Sequence, residues 1–562
     1  MQNEETTYDA IVVGSGITGG WAAKELTEKG LKTLVLERGR DVQHVEDYPT
    51  ANMAPWQFDK RGIDTTEEKE EYHIQSTTYA FTAGTKQFFV KDKENPYTTP
   101  EDKPFRWIRG YHVGGRSLTW GRQSYRLSDL DFEANAKEGI GVDWPIRYKD
   151  LEPWYDYVES FIGVSGQNEG LEQLPDGKFQ PPMDMYCVEE KVSKAVKETW
   201  TDRLMTIGRT ANLTEPLPGR ANCQYRNLCY RGCPFGAYFS SNSSTLPAAL
   251  KTGNLTLRPH SIVESLIYDE QKGKAVGVRI IDAETSQTKE YYAKVIFLCA
   301  STLGSTWILM NSKSNRFPNG FGNASGALGK YLMDHHFQVF SRAQFDGFED
   351  KYYRGYRPNG IYVPRFRNIK EKHPDFLRGY GMQGGAYRRG WKHANDQKGF
   401  GADFKASLTE PGGWEMTLMG FGECLPYEDN KVTLNPDVTD KWGLPTWTID
   451  CEFKENEYAM RKDMAITTRE ILEAGGGKNI ETFDKSDVPG FGIHEMGTAR
   501  MGKDPKTSVL NKWNQVHEAK NVFVTDGSAM TSSACQNPSL TYMALTARAV
   551  DHAVSELKKR NL

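Results

Sequence analysis

Residues Asp9 to Gly20 read DAIVVGSGITGG, and Gly14, Gly16 and Gly19 have the spacing of a dinucleotide-binding fingerprint. Each glycine has a physical task there. Gly14 permits a tight turn, Gly16 lets backbone approach a pyrophosphate, and Gly19 lets helix and strand pack closely. Ile17 and Thr18 begin a helix whose free N–H groups suit an anion, and both are cofactor-binding candidates. Glu37, about eighteen residues past the last glycine, is the candidate for ribose hydroxyls, with Arg38 beside it. The pattern alone serves FAD and NAD equally.

A second chemical cluster is CQYRNLCYRGCPFGAY, Cys223 to Tyr238, in which Cys223, Cys229 and Cys233 are separated by five and then three residues. Zinc would need a fourth ligand that this segment lacks, and free thiols in a reducing compartment are the plain alternative to a metal centre. The remaining cysteines (Cys187, Cys299, Cys424, Cys451, Cys535) are scattered and do not make a disulfide framework. His335 and His336 are adjacent, and neighbours on an extended chain point to opposite faces, which argues against one shared ion.

These groups need elements to hold them. Tyr8 to Val13 reads as a buried strand, followed by the Gly-rich turn, an amphipathic helix Ile17 to Glu28 and a strand Lys32 to Glu37, which is a βαβ start. Strand signals recur at Leu255 to Arg258, Val295 to Cys299 and Asn521 to Thr525, so the nucleotide domain is discontinuous. Phe337 to Thr448 is rich in Tyr, Phe, Gly and Arg, with alternating runs at Gly360 to Phe366 and Glu415 to Phe421 that suit an antiparallel sheet. Asp41 to Pro104 is polar and loop-like, longer than ordinary connectors. The expected fold is α/β: a discontinuous Rossmann-like domain (1–47, 105–150, 220–333, 487–562) and a substrate domain built on an antiparallel sheet covered by helices (151–219, 334–486). Residues 48–104 form a lid or partner-binding insertion between them. No internal repeat stands out.

A chain of 562 residues is long enough for two packed domains, and its net charge of -4, with no block of Lys or Arg, makes nucleic acid and anionic membrane poor partners. Apolar runs such as Val295 to Ala300 are far short of the roughly 18 residues of a spanning helix. The start lacks the basic and apolar regions of a secretory signal, so a soluble protein without its own export signal is expected.

From end to end the chain resembles the glucose-methanol-choline (GMC) flavoprotein family, nearest to pyranose-oxidase-like bacterial sugar dehydrogenases. The segments that carry the resemblance are the fingerprint, VGGRSLTWG (Val113 to Gly121), GALGKYLMDHH (Gly326 to His336) and the tail from His494 to Val554. The resemblance implies FAD as cofactor and places Gly114, Gly115 and Ser117 in a loop against it. Thr119 stands where pyranose 2-oxidase has a flavin-linked histidine, which implies a noncovalent flavin. Val263, Ala300, Asp526, Gly527, Asn537, Pro538 and Ser539 also fall at cofactor-contacting positions. The helix from Pro538 to roughly Leu557 would aim its positive end at the flavin.

In the tail, His494 and Asn537 match the family's catalytic pair, and the NPSLT context resembles the His-Asn version of pyranose oxidases. Alcohol oxidation needs a base for the hydroxyl proton and an acceptor, flavin N5, for the hydride. His494 is the expected base, and the Asn537 amide can orient the alkoxide. The cysteine segment resembles one in FAD-dependent glucose dehydrogenases, where cysteines hold a 3Fe-4S cluster, although those enzymes carry an additional Cys where this chain has Gln224.

The expected activity is therefore oxidation of a secondary alcohol of a sugar or glycoside to a ketone, with glucoside carbon three as the candidate position, and with electrons leaving through an iron-sulfur cluster to cytochrome c or another external acceptor. A small partner subunit could carry this chain to the periplasm; otherwise it is cytoplasmic. The rivals are an oxygen-using sugar oxidase with free thiols and a non-redox flavin-binding relative. The aromatic run Tyr352, Tyr353, Tyr356, Tyr362 with Trp391 could line a sugar site, and core packing explains it equally well. His517 is expected to be exposed in a polar turn.

Overall fold

Alternation along Thr7–Val13 decides how the first layer is built. Ala10 and Val12 pack on one face with Ala22, Ala23 and Leu26 of the helix Ile17–Glu28 and with Ala549, Val550 and Ala553 of the helix Ser539–Lys558. Ile11 and Val13 enter the opposite core with Leu34, Leu36, Ile296 and Leu298. A strand covered on both faces must be apolar on both, which is why this segment reads as a continuous apolar run.

The computed structural model describes residues 5–389, 398–485 and 488–562. Thr7–Val13 lies centrally in a sheet, parallel to Thr33–Leu36 on one side and to Thr288–Leu298 on the other. Leu255–Arg258 extends the sheet beyond the first neighbour and Ala519–Val524 beyond the second, both in parallel. Register aligns Val13 with Leu36 and with Leu298, and Leu298 with Val524. The carboxyl ends of all these strands therefore open on one edge, where ligands of open α/β sheets bind.

The second layer is an antiparallel sheet in the order Lys478–Asp484, His336–Phe345, Trp414–Gly422, Tyr380–Arg388, Ile361–Val363, Thr206–Ile207. Met382, Met416 and Leu418 pack against Val188, Val192 and Val196 of the helix Cys187–Thr199 and against Met460 and Met464 of the helix Glu455–Ala474. The intervening Gln383 points the other way, as the period of two requires. A separate hairpin, Lys431–Thr439 with Pro445–Asp450, reaches back to the first layer through the Asp440 to Arg38 ion pair.

The strand expected over Gly360 to Phe366 is only Ile361–Val363, because Pro364 has no N–H to continue the ladder. The last helix runs Ser539–Lys558 with Pro538 as its cap residue. The stretch Asp41 to Pro104 is loop-rich, with the short helix Thr66–Glu71, and is anchored by Tyr48, Phe88 and Phe89 in a small core with Ile108 and Leu118. His517 is a correction: it is half-buried and bonded to Ser508 Oγ at 3.0 Å, because its loop folds back on Val509 and Leu510. No helix among the described residues is long and apolar enough to cross a membrane.

Candidate active site

At the open edge of the parallel sheet, the fingerprint folds as its glycines require. Gly14 has φ +94°, and a Cβ on it would lie 2.5 Å from the Cys299 carbonyl oxygen. A Cβ on Gly19 would lie 1.9 Å from the Gly14 oxygen, so helix and turn touch there. Gly16 is different: its nearest neighbour would be the Gly114 oxygen at 4.0 Å, and the space before it is open. Gly16 also caps the helix Ile17–Glu28 without any side-chain bond, leaving first-turn amides for a ligand.

Glu37 ends the adjacent strand, buried, accepting hydrogen bonds from Ser15 N at 3.1 Å and Gly39 N at 3.0 Å. Burial pushes its carboxyl up from the ordinary value while these donors oppose the rise. Ser15 Oγ accepts from Gly114 N at 3.0 Å, which ties the first glycine loop to the second. Gly114 has φ +87°, and a Cβ would overlap Asn242 Oδ1. Ser117 Oγ donates to the Gly114 carbonyl at 2.6 Å and accepts from Ser241 N, so its hydroxyl serves the loop itself.

One cavity runs from these loops to the tail. Of the residues expected to hold the cofactor, Gly14, Gly16, Ile17, Thr18, Glu37, Arg38, Gly115, Ser117, Thr119, Val263, Ala300, Asp526, Gly527, Asn537 and Ser539 line it. Gly19, Gly114 and Pro538 stand behind the lining, where they shape helix and loop. Asp526 is fixed by Ser528 N at 3.0 Å and by the Ser305 hydroxyl. The uncapped N-terminus of the helix Ser539–Lys558 faces the same space through Ser539 and Tyr542. Open room before Gly16, a buried ribose-type acid and two free helix starts fit an elongated dinucleotide such as FAD.

His494 and Asn537 meet at the far end, with His494 Nε2 and Asn537 Nδ2 3.5 Å apart. Two residues that the motifs did not single out for this role fix their orientation. His335 Nε2 lies 2.8 Å from the Ala534 carbonyl oxygen, an obligate acceptor, so the His335 proton sits on Nε2. Its Nδ1, 2.9 Å from His494 Nδ1, must accept from His494, which leaves the lone pair of His494 on Nε2. Gln383 Nε2 donates to Asn537 Oδ1 at 2.6 Å, so Asn537 turns its N–H toward His494. Any hydroxyl between the two would meet one acceptor and one donor.

The His494 backbone is held as well. Asp334 accepts from the amides of Gly490, Gly492 and His494 at 2.8, 2.9 and 3.0 Å. Burial, with Glu495 nearby, pushes Asp334 up to about 7. Burial pulls His494 well below its ordinary value and His335 down to about 4, so both rings are neutral near pH 7. His336 turns to the opposite face, into the core beside Phe453.

The insertion contributes Thr78, Tyr79, Ala80, Phe89, Asn95 and Pro96 to the cavity wall, a contribution its polar composition did not reveal. Tyr352, Tyr353 and Tyr356 are exposed, Tyr362 is buried against Tyr125 with rings 3.9 Å apart, and none of the four lines the cavity; Trp391 lies outside the described residues. Cys223, Cys229 and Cys233 line a separate small cavity with Asn212. Among the described residues no three His, Cys, Asp or Glu side chains converge on a point that would hold a single metal ion.

Comparison with known proteins agrees with the site. Models of the GMC oxidoreductase family match residues 8–337 and 426–546. Over 98% of this chain and 96% of the relative, the sequence is 30% identical to a 2-methyl-1,2-propanediol dehydrogenase of Mycolicibacterium austroafricanum. It is 27% identical, over the whole of both chains, to a fructose dehydrogenase large subunit of Gluconobacter japonicus. A gluconate 2-dehydrogenase flavoprotein of Pantoea cypripedii is 24% identical over 97% of this chain and 93% of its own.

The two glycine contacts should separate in solution. Gly19→Ala forces a methyl into backbone and should lower unfolding free energy by about 1–3 kcal/mol. Gly16→Ala should cost less than about 1 kcal/mol yet lose FAD during purification. Urea unfolding together with the flavin-to-protein absorbance ratio checks both.

Proposed function

The chain belongs to the GMC oxidoreductase family, and from that premise we propose that this FAD-dependent dehydrogenase oxidises a secondary alcohol of a sugar or glycoside to a ketone. Bound FAD supplies the hydride acceptor. The observation that carries the reading is the pairing of an unprotonated His494 Nε2 with the Asn537 N–H inside the cavity that begins at the fingerprint.

His494 takes the hydroxyl proton on Nε2, and Asn537 donates to the same oxygen as negative charge builds on it. His335 keeps the lone pair on the correct nitrogen, and Gln383 prevents the Asn537 amide from flipping. Tyr79 and Trp120 line the cavity, and aromatic side chains of this kind suit a sugar ring. Carbon three of a glucoside is the position we favour.

The two electrons leave singly. That Cys223, Cys229 and Cys233 line one small cavity is what supports reading them as the residues that would hold a 3Fe-4S cluster. An external one-electron acceptor such as a cytochrome c would then be reduced. A relative named as a large subunit supports a small partner subunit, and co-export with it would place the enzyme in the periplasm. That no group of His, Cys, Asp or Glu able to hold a metal ion occurs among the described residues favours a second reading, an oxygen-using sugar oxidase with free thiols.

Anaerobic absorbance of the purified protein, with iron quantified, before and after glucosides, glucose, fructose and 2-methyl-1,2-propanediol tests this. Bleaching of the flavin bands by a glycoside or sugar over a broad iron-sulfur background is expected. Bleaching without iron selects the oxidase, bleaching by the diol alone moves the substrate to small diols, and no bleaching sinks the carbohydrate assignment.

Because burial holds His494 well below its ordinary value, the acid limb of kcat/KM should lie below the ordinary histidine range and the base should stay competent through neutral pH. His335→Ala should keep FAD yet lose much of the ~10²–10⁴-fold that a positioned base contributes, with an altered pH profile. Steady-state kinetics across pH decide it; an unchanged profile and kcat would remove His335 from the account.

A further inference from the structure

The residues on either side of His494 are held by one guanidinium. Arg116 Nη1 and Nη2 donate to the Glu495 carboxylate at 3.3 and 2.9 Å, and Nη1 also lies 3.5 Å from the Ile493 carbonyl oxygen and 3.4 Å from that of Ile108. The Glu495 side chain is 1% exposed and the Arg116 side chain 28%, and both line the cavity that contains His494. The Thr302 hydroxyl fixes the Glu495 backbone by donating to its carbonyl at 2.5 Å.

Arg116 belongs to the second glycine loop. It stands on the short helical turn Gly115–Leu118, directly after Gly114, whose amide is tied to Ser15 of the fingerprint. A continuous line of bonds therefore runs from the loops that fit FAD to both neighbours of the base. Ile493 needs that hold, because its φ of +60° is a left-handed conformation that a β-branched residue rarely adopts. Its amide donates to the Gly490 carbonyl at 3.1 Å, and its carbonyl faces Arg116. Asp334 thus grips this loop through its amides and Arg116 through its acceptors.

The titratable and charged groups around His494 are His335 at its Nδ1, Asp334 at its amide and the Arg116 to Glu495 pair at its flanks, while Asn537 on the remaining side is neutral. Burial is the main reason that His494 is held low, and His335 and the Arg116 cation act in the same direction. The guanidinium keeps its charge at every pH the enzyme meets.

We propose that Arg116 is a positioning residue for the reaction, which with Glu495 locks both neighbours of His494 to the glycine loop of the cofactor site and so fixes the base relative to the hydride acceptor. The proposal rests on the reading of His494 as the base of an FAD-dependent alcohol dehydrogenase. Proton and hydride leave the same carbon and its oxygen, so base and acceptor must be held in one frame, and a small misplacement of either is costly. A fixed cation at this place also opposes protonation of the ring, which keeps the resting base ready.

The test uses the full-length FAD-loaded protein, comparing Arg116→Gln, Arg116→Lys and Glu495→Gln with the unaltered chain. Retained flavin absorbance establishes folding. Two readouts are taken: kcat and KM with an alcohol that bleaches the unaltered enzyme, and the pH titration of His494 in the oxidised resting protein by nitrogen-15 magnetic resonance. Arg116→Gln should lower kcat by about tenfold or more with KM little changed, and should move the His494 titration upward, since a cation has been removed and a buried carboxylate left beside the ring. Glu495→Gln should slow turnover as well but not move the titration upward, because it removes the anion and leaves the cation. Arg116→Lys keeps the charge without the two-pronged grip, so its titration should stay in place while kcat falls. Should Arg116→Gln fail to fold, Arg116→Lys decides: a lowered kcat with KM kept supports the role, and an unaltered kcat overturns it. A folded Arg116→Gln with unaltered kcat, or with an unmoved titration, overturns the proposal and leaves the base reading standing. If no alcohol bleaches the flavin of the unaltered protein, the base reading falls and the proposal with it.

Discussion

One hydrogen bond, from His494 Nδ1–H to His335 Nδ1, decides whether this site can take a proton at all. A neutral imidazole has one lone pair, and the partner of the other nitrogen determines where it lies. Here the direction is set two bonds away by the Ala534 carbonyl, which can only accept. Three consecutive residues divide the work: Asp334 gathers the loop that carries His494, His335 sets its tautomer, and His336 faces away into the core. Their alternation at the start of the strand His336–Phe345 is what lets neighbours serve opposite sides of the sheet.

The constraint extends to the whole architecture. Asn537 is oriented by Gln383, which comes from the antiparallel sheet, whereas Asn537 itself precedes the helix that covers the parallel sheet. Neither layer alone completes the pair. The parallel register brings Val13, Leu36, Leu298 and Val524 to one edge, and the bond from Gly114 N to Ser15 Oγ joins two glycine loops about a hundred residues apart. The chain leaves and re-enters each layer because the reacting groups must be supplied from both.

Much of this was legible in the sequence where the physics is local. The helix Ile17–Glu28 follows from its glycines and apolar spacing, and the strand positions around it follow from apolar runs bounded by turns. The cofactor positions around Gly14, Gly115 and Ser539 fall on one cavity because the motifs record backbone geometry. What stayed hidden is long-range. Gln383 is one polar residue in a strand, and nothing local says that its outward face meets Asn537. His335 looked like half of an adjacent histidine pair, and only the fold shows that it bonds to His494. The polar stretch after Asp41 gave no sign that Thr78 to Ala80 wall the cavity, and the aromatic run near Tyr352 suggested a sugar platform that the fold leaves at the surface.

The most direct test of the account is the protonation pattern of His494 in the oxidised, FAD-loaded protein, read by nitrogen-15 magnetic resonance of histidine-labelled samples and assigned with His335→Ala and His494→Gln variants. At pH 7 the account predicts that His494 carries its proton on Nδ1, with Nε2 giving the signal of an unprotonated ring nitrogen, and that removing His335 disturbs that pattern. A His494 protonated on Nε2, or one whose pattern is indifferent to His335, would contradict it.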